Sequence, residues 1–234
     1  MALISCKNAS FAYDENIVLN DISFEINKGD YICIVGENGS GKSTLVKGIL
    51  GLQRAFKGEI IYGESLKPQD IGYMPQKNNI QKDFPASVYE VVISGRLNKC
   101  GLRPFYSKAD KIIADENLEK LDILDLKYKR FMELSVGQQQ RVLIARALCS
   151  LEKLLILDEP AGALDYSASS QLYKTIEKIN NEGITIAMIS HDLKKSIEYG
   201  QKILHLQNKQ LFFGDTQTYI KSDIGRLFLE AKNV

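Results

Sequence analysis

Gly36-Glu37-Asn38-Gly39-Ser40-Gly41-Lys42-Ser43 matches G-x-x-x-x-G-K-[ST], a pattern that holds phosphate. Glycines let the backbone curl so that successive N–H groups point inward at phosphate oxygens, while Lys42 sets a cation beside the β and γ phosphates. The Ser43 hydroxyl is placed to ligate Mg²⁺. Thr44 continues into a helix whose positive dipole end adds to the anion's field. Far downstream, Leu154-Leu155-Ile156-Leu157-Asp158-Glu159 is an apolar run that ends in two carboxylates. Successive side chains of a strand point to opposite faces, so the two acids can take different work. Asp158 is assigned to Mg²⁺ and Glu159 to polarising an attacking water. The bland alternatives, a glycine-rich turn and a solvated strand end, lose weight because both motifs occur in one chain.

Such residues need a scaffold with strand ends that converge. Residues 3–13 and 22–26 alternate (Ile22, Phe24, Ile26), the period of half-buried antiparallel strands, and 27–30 reads as a turn. Tyr31-Ile32-Cys33-Ile34-Val35 is a continuous apolar run of the kind found in a parallel strand covered on both faces. A helix is predicted over 44–52 and strands over 58–62 and 71–74. From 77 to 150 helical signals take over. Ser107-x-x-Asp110 opens a helix with Ile112, Ile113, Leu118 and Leu121 as its apolar stripe, and Ser135-x-x-Gln138 has the spacing of a capping box. Strands at 154–157, 184–189 and 202–206 then alternate with helices at 168–180 and 193–199. The reading is an α/β fold with a mostly parallel core sheet, an N-terminal antiparallel β part and an inserted helical subdomain. It is one domain over 1–234, with 1–76 and 151–234 as core and 77–150 as insertion.

Composition narrows the function classes. Thirty Lys plus Arg against 29 Asp plus Glu give a net charge of +1, which argues against a basic nucleic-acid module or an acidic tail. No run approaches the roughly 18 apolar residues that a membrane span needs, and the opening MALISCKNASFAYDE lacks the plan of a secretory signal. A cytosolic protein is expected. Cys6, Cys33, Cys100 and Cys149 are scattered without a CxxC pair, so reduced, buried thiols are expected rather than a zinc site or disulfides. Internal repeats and heptad runs are not found.

Leu134-Ser135-Val136-Gly137-Gln138-Gln139-Gln140-Arg141 resembles the signature sequence of ATP-binding cassette (ABC) transporter ATPases, usually LSGGQ followed by Q-x-R. Further elements fall in the family's order: Tyr13 ahead of the phosphate loop, Gln76 after the strand at 71–74, Asp165 in Ala163-Leu164-Asp165, and His191 in Ser190-His191-Asp192. The resemblance covers nearly the whole chain and implies a P-loop NTPase fold and ATP hydrolysis with Mg²⁺. By the same resemblance Tyr13 stacks on adenine, Gly36, Asn38, Gly39, Ser40, Gly41, Lys42, Ser43 and Thr44 cradle the phosphates, and Gln76 reaches Mg²⁺ or the water. His191 bonds the γ-phosphate, Ser135, Gly137 and Gln138 touch nucleotide held by a second subunit, and Asp165 is counted among the nucleotide-binding residues. A homodimer with two ATP sandwiched head to tail is implied, closed by ATP and opened by hydrolysis. Taken singly, Tyr13 reads as half-buried packing, Ser135-x-x-Gln138 as a plain cap and His191 as a strand-end histidine. Their order along the chain reverses those readings. Val136 and Ala161-Gly162 depart from the family's usual glycine and hydroxyl residues.

Phe84-Pro85-Ala86-Ser87-Val88-Tyr89-Glu90-Val91-Val92-Ile93-Ser94-Gly95-Arg96 is similar to a stretch of zinc and manganese importer ATPases, and of iron-chelate importer ATPases. The expected work is therefore powering uptake of a divalent metal ion, with a membrane permease docked near residues 76–96 and a solute-binding protein acting indirectly. The chain would sit peripherally on the inner face of the cell membrane. Phe84, Val88 and Val91 are candidates for the apolar docking surface, or equally for the core of the insertion. Alternatives are an iron-chelate importer, an exporter, or a soluble ABC ATPase without transport. A GTPase would explain Asn27-Lys28-Gly29-Asp30 as N-K-x-D, but that stretch precedes the phosphate loop and is treated as a turn.

Overall fold

The computed structural model describes residues 2–14, 16–63, 65–76 and 85–231. The chain divides into two units, Met1–Pro68 with Ile179–Val234, and Gln69–Lys178. The second unit takes in two strands as well as the helices expected at 77–150.

In the first unit β1 (Ala2–Tyr13) and β2 (Asn16–Asn27) pair antiparallel, with Cys6 opposite Phe24. Their alternation buries Leu19, Ile22, Phe24 and Ile26 of β2, as a strand with one covered face requires. The turn after β2 is closed by the Asn27 N–H donating to Asp30 Oδ2 at 2.7 Å, and Lys202 Nζ pairs with the same oxygen at 2.8 Å. The N-K-x-D stretch is thus occupied in holding a turn. Next come β3 (Tyr31–Val35), α1 (Lys42–Ile49) and β4 (Lys57–Tyr62). β4 joins the free edge of β1, which completes a three-stranded antiparallel sheet.

In the second unit β5 (Ile71–Met74) is followed by α2 (Val88–Ile93), α3 (Leu97–Cys100), α4 (Lys108–Lys120) and α5 (Val136–Ser150). β6 (Leu154–Asp158) pairs in parallel with β5, and α6 (Tyr166–Asn181) follows. Reciprocal capping boxes start three of these helices, Ser87 with Glu90, Ser107 with Asp110 and Ser135 with Gln138.

Two expectations for this unit are corrected. The buried face of α4 is Asp110, Ala114 and Leu118, continued by Leu121, while Ile112 is 58% exposed. Ile112 lies two positions from Asp110, about 200° around the helix, so it cannot share that face. Asp110 is tolerated inside because Arg96 Nε meets it at 3.0 Å. The Ser107 hydroxyl first, then the Ser107 backbone N–H and the Arg96 guanidinium, hold its carboxyl below the usual carboxylate range. Val88 is fully buried, with Val92 one turn on. It is therefore core, not docking surface, whereas Val91 is half-buried. Phe84 lies outside the described residues.

The chain returns to the first unit with β7 (Thr185–Ile189), α7 (Leu193–Tyr199) and β8 (Lys202–Leu206). β3 lies between β7 and β8, parallel to both, and is buried at all five positions. Three elements that sequence patterning missed end the chain: β9 (Gln210–Asp215), antiparallel to β8, then α8 (Thr216–Lys221) and α9 (Asp223–Ala231). All four cysteines are buried and free. Among the described residues no helix is long and apolar enough to cross a membrane.

Candidate active site

The loop 36–41 leaves the carboxyl end of β3, where ligands of parallel sheets gather. Two glycines make its path possible. Gly36 has φ 147°, and a Cβ there would stand 2.2 Å from the Leu206 carbonyl oxygen; at Gly41, φ 97°, a Cβ would stand 2.4 Å from Leu19 Cδ2. Gly41 also caps α1 in the left-handed region without a side-chain bond. The amides of Lys42, Ser43 and Thr44 open that helix, where N–H groups lie beyond reach of its own carbonyls. Lys42 is 7% exposed and folds back, its Nζ donating to the carbonyls of Gly36 at 2.9 Å and Glu37 at 2.8 Å. The Ser40 hydroxyl is buried, with no hydrogen-bond partner among the described residues. Donors of this kind fit a polyphosphate, because a buried hydroxyl and an ammonium are both satisfied by phosphate oxygens. Asn38 and Gly39 lie exposed on the same loop, and Ser43 is exposed in the first turn of α1.

His191 follows β7, which pairs with β3 through Ile34 opposite Ile189. Parallel pairing therefore delivers His191 to the same sheet edge as the phosphate loop, and it is exposed there. Tyr13, 43% exposed, accepts a hydrogen bond from Lys47 Nζ at 3.2 Å, and that bond lowers the phenol's pKa. The ammonium lies 5.5 Å from the ring centroid.

In the second unit the pairing of Met74 with Leu157 brings the ends of β5 and β6 side by side. Two residues on, Gln76 Nε2 donates to Glu159 Oε2 at 2.7 Å. Glu159 has φ 52°, a left-handed backbone that an acyclic side chain adopts only when its surroundings impose it. Asp158 ends β6 and is 5% exposed, with the Tyr73 hydroxyl 3.5 Å from its Oδ2. Burial first, then the Asp158 charge, pushes the Tyr73 phenol up to about 12. It therefore stays a donor toward the carboxylate.

Ser135 caps α5, accepting from the Gln138 N–H at 3.3 Å while its own N–H donates to Gln138 Oε1 at 3.0 Å. Asp165 likewise accepts from the Ala168 N–H at 2.9 Å at the start of α6. The plain capping reading of Ser135 is thus realised, Asp165 also holds a helix start, and any nucleotide role of either comes on top. Val136, 42% exposed, sits in the first turn of α5 with a helical backbone, so its branch meets no constraint that glycine would relieve. A Cβ at Gly162 would lie 3.6 Å from the Glu159 carbonyl oxygen, ordinary contact, so the missing hydroxyl residue was not excluded for space.

Three participants escaped the sequence reading. Glu37 acts through its carbonyl, which no side-chain pattern encodes. Lys47 lies four positions after Ser43 on α1, a spacing that places both on one side of the helix. Tyr73 shares its strand end with Gln76, but only the parallel pairing shows that it faces Asp158.

Comparisons with known proteins give the family. Residues 19–162 match the ABC transporter family. The manganese transport system ATP-binding protein MntB of Bacillus subtilis is 38% identical, over 92% of this chain and 87% of that protein. The zinc uptake system ATP-binding protein ZurA of Listeria innocua is 37% identical, over 93% of this chain and 87% of that one. Among solved structures, an ABC transporter in an inward-facing conformation superposes with a TM-score of 0.86 at 31% identity, covering 96% of this chain and 87% of that chain.

Proposed function

The chain belongs to the ABC transporter family, and from that premise we propose that it powers the uptake of a divalent metal ion, zinc or manganese. As a member it binds nucleotide and hydrolyses ATP for a transporter. The observation that carries the choice of cargo is the near full-length likeness to the manganese and zinc uptake proteins.

The proposed work divides among this chain's residues as follows. Tyr13 offers an exposed ring to adenine. The loop amides, Ser40 and Lys42 hold the phosphates, and His191 bonds the γ-phosphate. Ser43, Gln76 and Asp158 present hydroxyl, amide and carboxylate oxygens, hard donors suited to Mg²⁺. The ion would neutralise charge on the phosphates. Glu159 takes the proton of the attacking water, with Gln76 holding its carboxylate in place. Ser135, Gly137 and Gln138 reach the nucleotide of a second copy, so two chains complete each other's sites, with Asp165 near the junction. A permease docks along residues 76–96, and through it the chain sits on the inner face of the membrane.

The dimer reading makes a sharp prediction at Gly137. Among the described residues a Cβ there meets only Leu164 Cδ2, at 3.7 Å, and alanine favours a helix over glycine by about 1 kcal/mol. Gly137→Ala should therefore melt no lower than wild type, yet lose ATP turnover by tenfold or more because the methyl intrudes on the partner's nucleotide. Unchanged turnover would show that Gly137 contacts nothing outside its own chain.

Cargo is tested in the host. Deleting the gene should lower accumulation of radioactive manganese or zinc, and the wild-type gene should restore it where the Glu159→Gln variant does not. If neither metal's accumulation changes, the cargo reading fails while ATP hydrolysis stands.

A further inference from the structure

In the first unit a cavity of about 310 Å³ lies behind the phosphate loop, within the size range of small-molecule sites. α9 supplies Ile224, Leu227 and Phe228 to its wall, at helical spacing, and Leu211 of β9 adds to the apolar lining. Glu37 and Gln207 are exposed and stand at the rim. Among the described residues of the lining, the one deeply buried polar side chain is His205, 4% exposed. It sits on β8 opposite Val35, one residue before the loop begins.

The imidazole is held from one side. Its Nδ1 lies 3.1 Å from the Tyr219 hydroxyl, and the Phe228 ring packs 4.4 Å away, centroid to centroid. Tyr219 does not line the cavity, so the far side of the ring, which carries Nε2, is the side that meets it. Among the described residues Nε2 has no hydrogen-bond partner. Burial lowers the ring's pKa to about 4, so it is neutral at pH 7, and burial raises the Tyr219 phenol to about 12. A buried phenol must donate, and Nδ1 is its described acceptor. That leaves the imidazole hydrogen on Nε2, an N–H donor facing the apolar lining of the cavity.

We propose that this cavity binds a small, uncharged, mostly apolar molecule with one hydrogen-bond acceptor, a carbonyl, which takes the Nε2–H of His205. The Glu37 carboxylate at the rim repels anions, and a neutral N–H donor offers a cation nothing. Apolar burial supplies affinity and the single donor supplies selection. The bound molecule would border Glu37, whose carbonyl holds Lys42.

Acetophenone and cumene serve as probes, nearly the same shape with and without the carbonyl. The chain has two histidines, so imidazole ¹⁵N resonances report His205 with little overlap. Acetophenone should shift that resonance saturably and bind roughly three- to tenfold tighter than cumene, the worth of one hydrogen bond. His205→Phe should erase the difference between the probes. Leu227→Trp, at a position 67% exposed and so tolerant of change, should plug the mouth and abolish both. Equal affinities in the wild type, no saturable shift, or undiminished binding to the Leu227→Trp variant overturns the proposal.

Discussion

Replacing Glu159 with Gln is expected to lower ATP turnover by about a thousandfold, within the range a positioned general base supplies, while ATP binds as tightly as before. The two side chains are nearly isosteric. The Gln76 amide that now donates to Glu159 Oε2 at 2.7 Å finds a carbonyl oxygen of the variant in the same place. The left-handed backbone at 159 is no worse for Gln than for Glu, so stability should stay within about 0.5 kcal/mol. What disappears is the capacity to take a proton. If two copies close on ATP and hydrolysis reopens them, the variant should accumulate as a closed dimer, seen by light scattering with ATP and Mg²⁺. Turnover within tenfold of wild type removes Glu159 from its role, and a monomer at saturating ATP removes the paired site.

Why one half of the site was legible and the other only partly so follows from where the information lies. Gly36 to Ser43 could be read because each residue type answers a local demand, and the structure shows the demands: left-handed angles at Gly41, contact with Leu206 at Gly36, a helix start at Lys42. The three capping boxes are equally local, four residues each, and Ser107 and Ser135 were read from spacing alone. Tyr73 beside Asp158 and the Gln76 bond to Glu159 depend on the parallel register of β5 and β6, whose residues lie about 80 positions apart. No window of sequence contains that register. Val88 shows the opposite limit. An apolar residue in a short helix reads equally as core or as exposed docking surface, and only the packing of α2 decides for core. The C-terminal β9, α8 and α9 were missed, although the apolar run Leu211, Phe212 and Phe213 and the helical spacing of Ile224, Leu227 and Phe228 were both local signals.

Removing the Lys42 charge should weaken ATP binding by about a hundredfold, the equivalent of roughly 3 kcal/mol for a charge-assisted hydrogen bond. Methionine is the better replacement than alanine, because the lysine stem is buried and only 7% of the residue is exposed. Met keeps the packing and deletes the ammonium. The variant carries a cost of its own, since the carbonyls of Gly36 and Glu37 lose the donor that now lies 2.9 and 2.8 Å away. That cost is about 1 kcal/mol, a fall of roughly 2–4 °C in melting temperature for a chain of this size. The two effects separate on adding nucleotide. At ATP a thousandfold above the wild-type dissociation constant, ligand binding stabilises the wild type by about 4 kcal/mol, but a hundredfold weaker variant by only about 1.4 kcal/mol. The ATP-dependent shift in melting should therefore shrink by about two thirds in the variant, whatever its starting stability. An undiminished shift would mean that the phosphates do not meet Lys42, and the loop would be left as a turn that happens to contain a lysine.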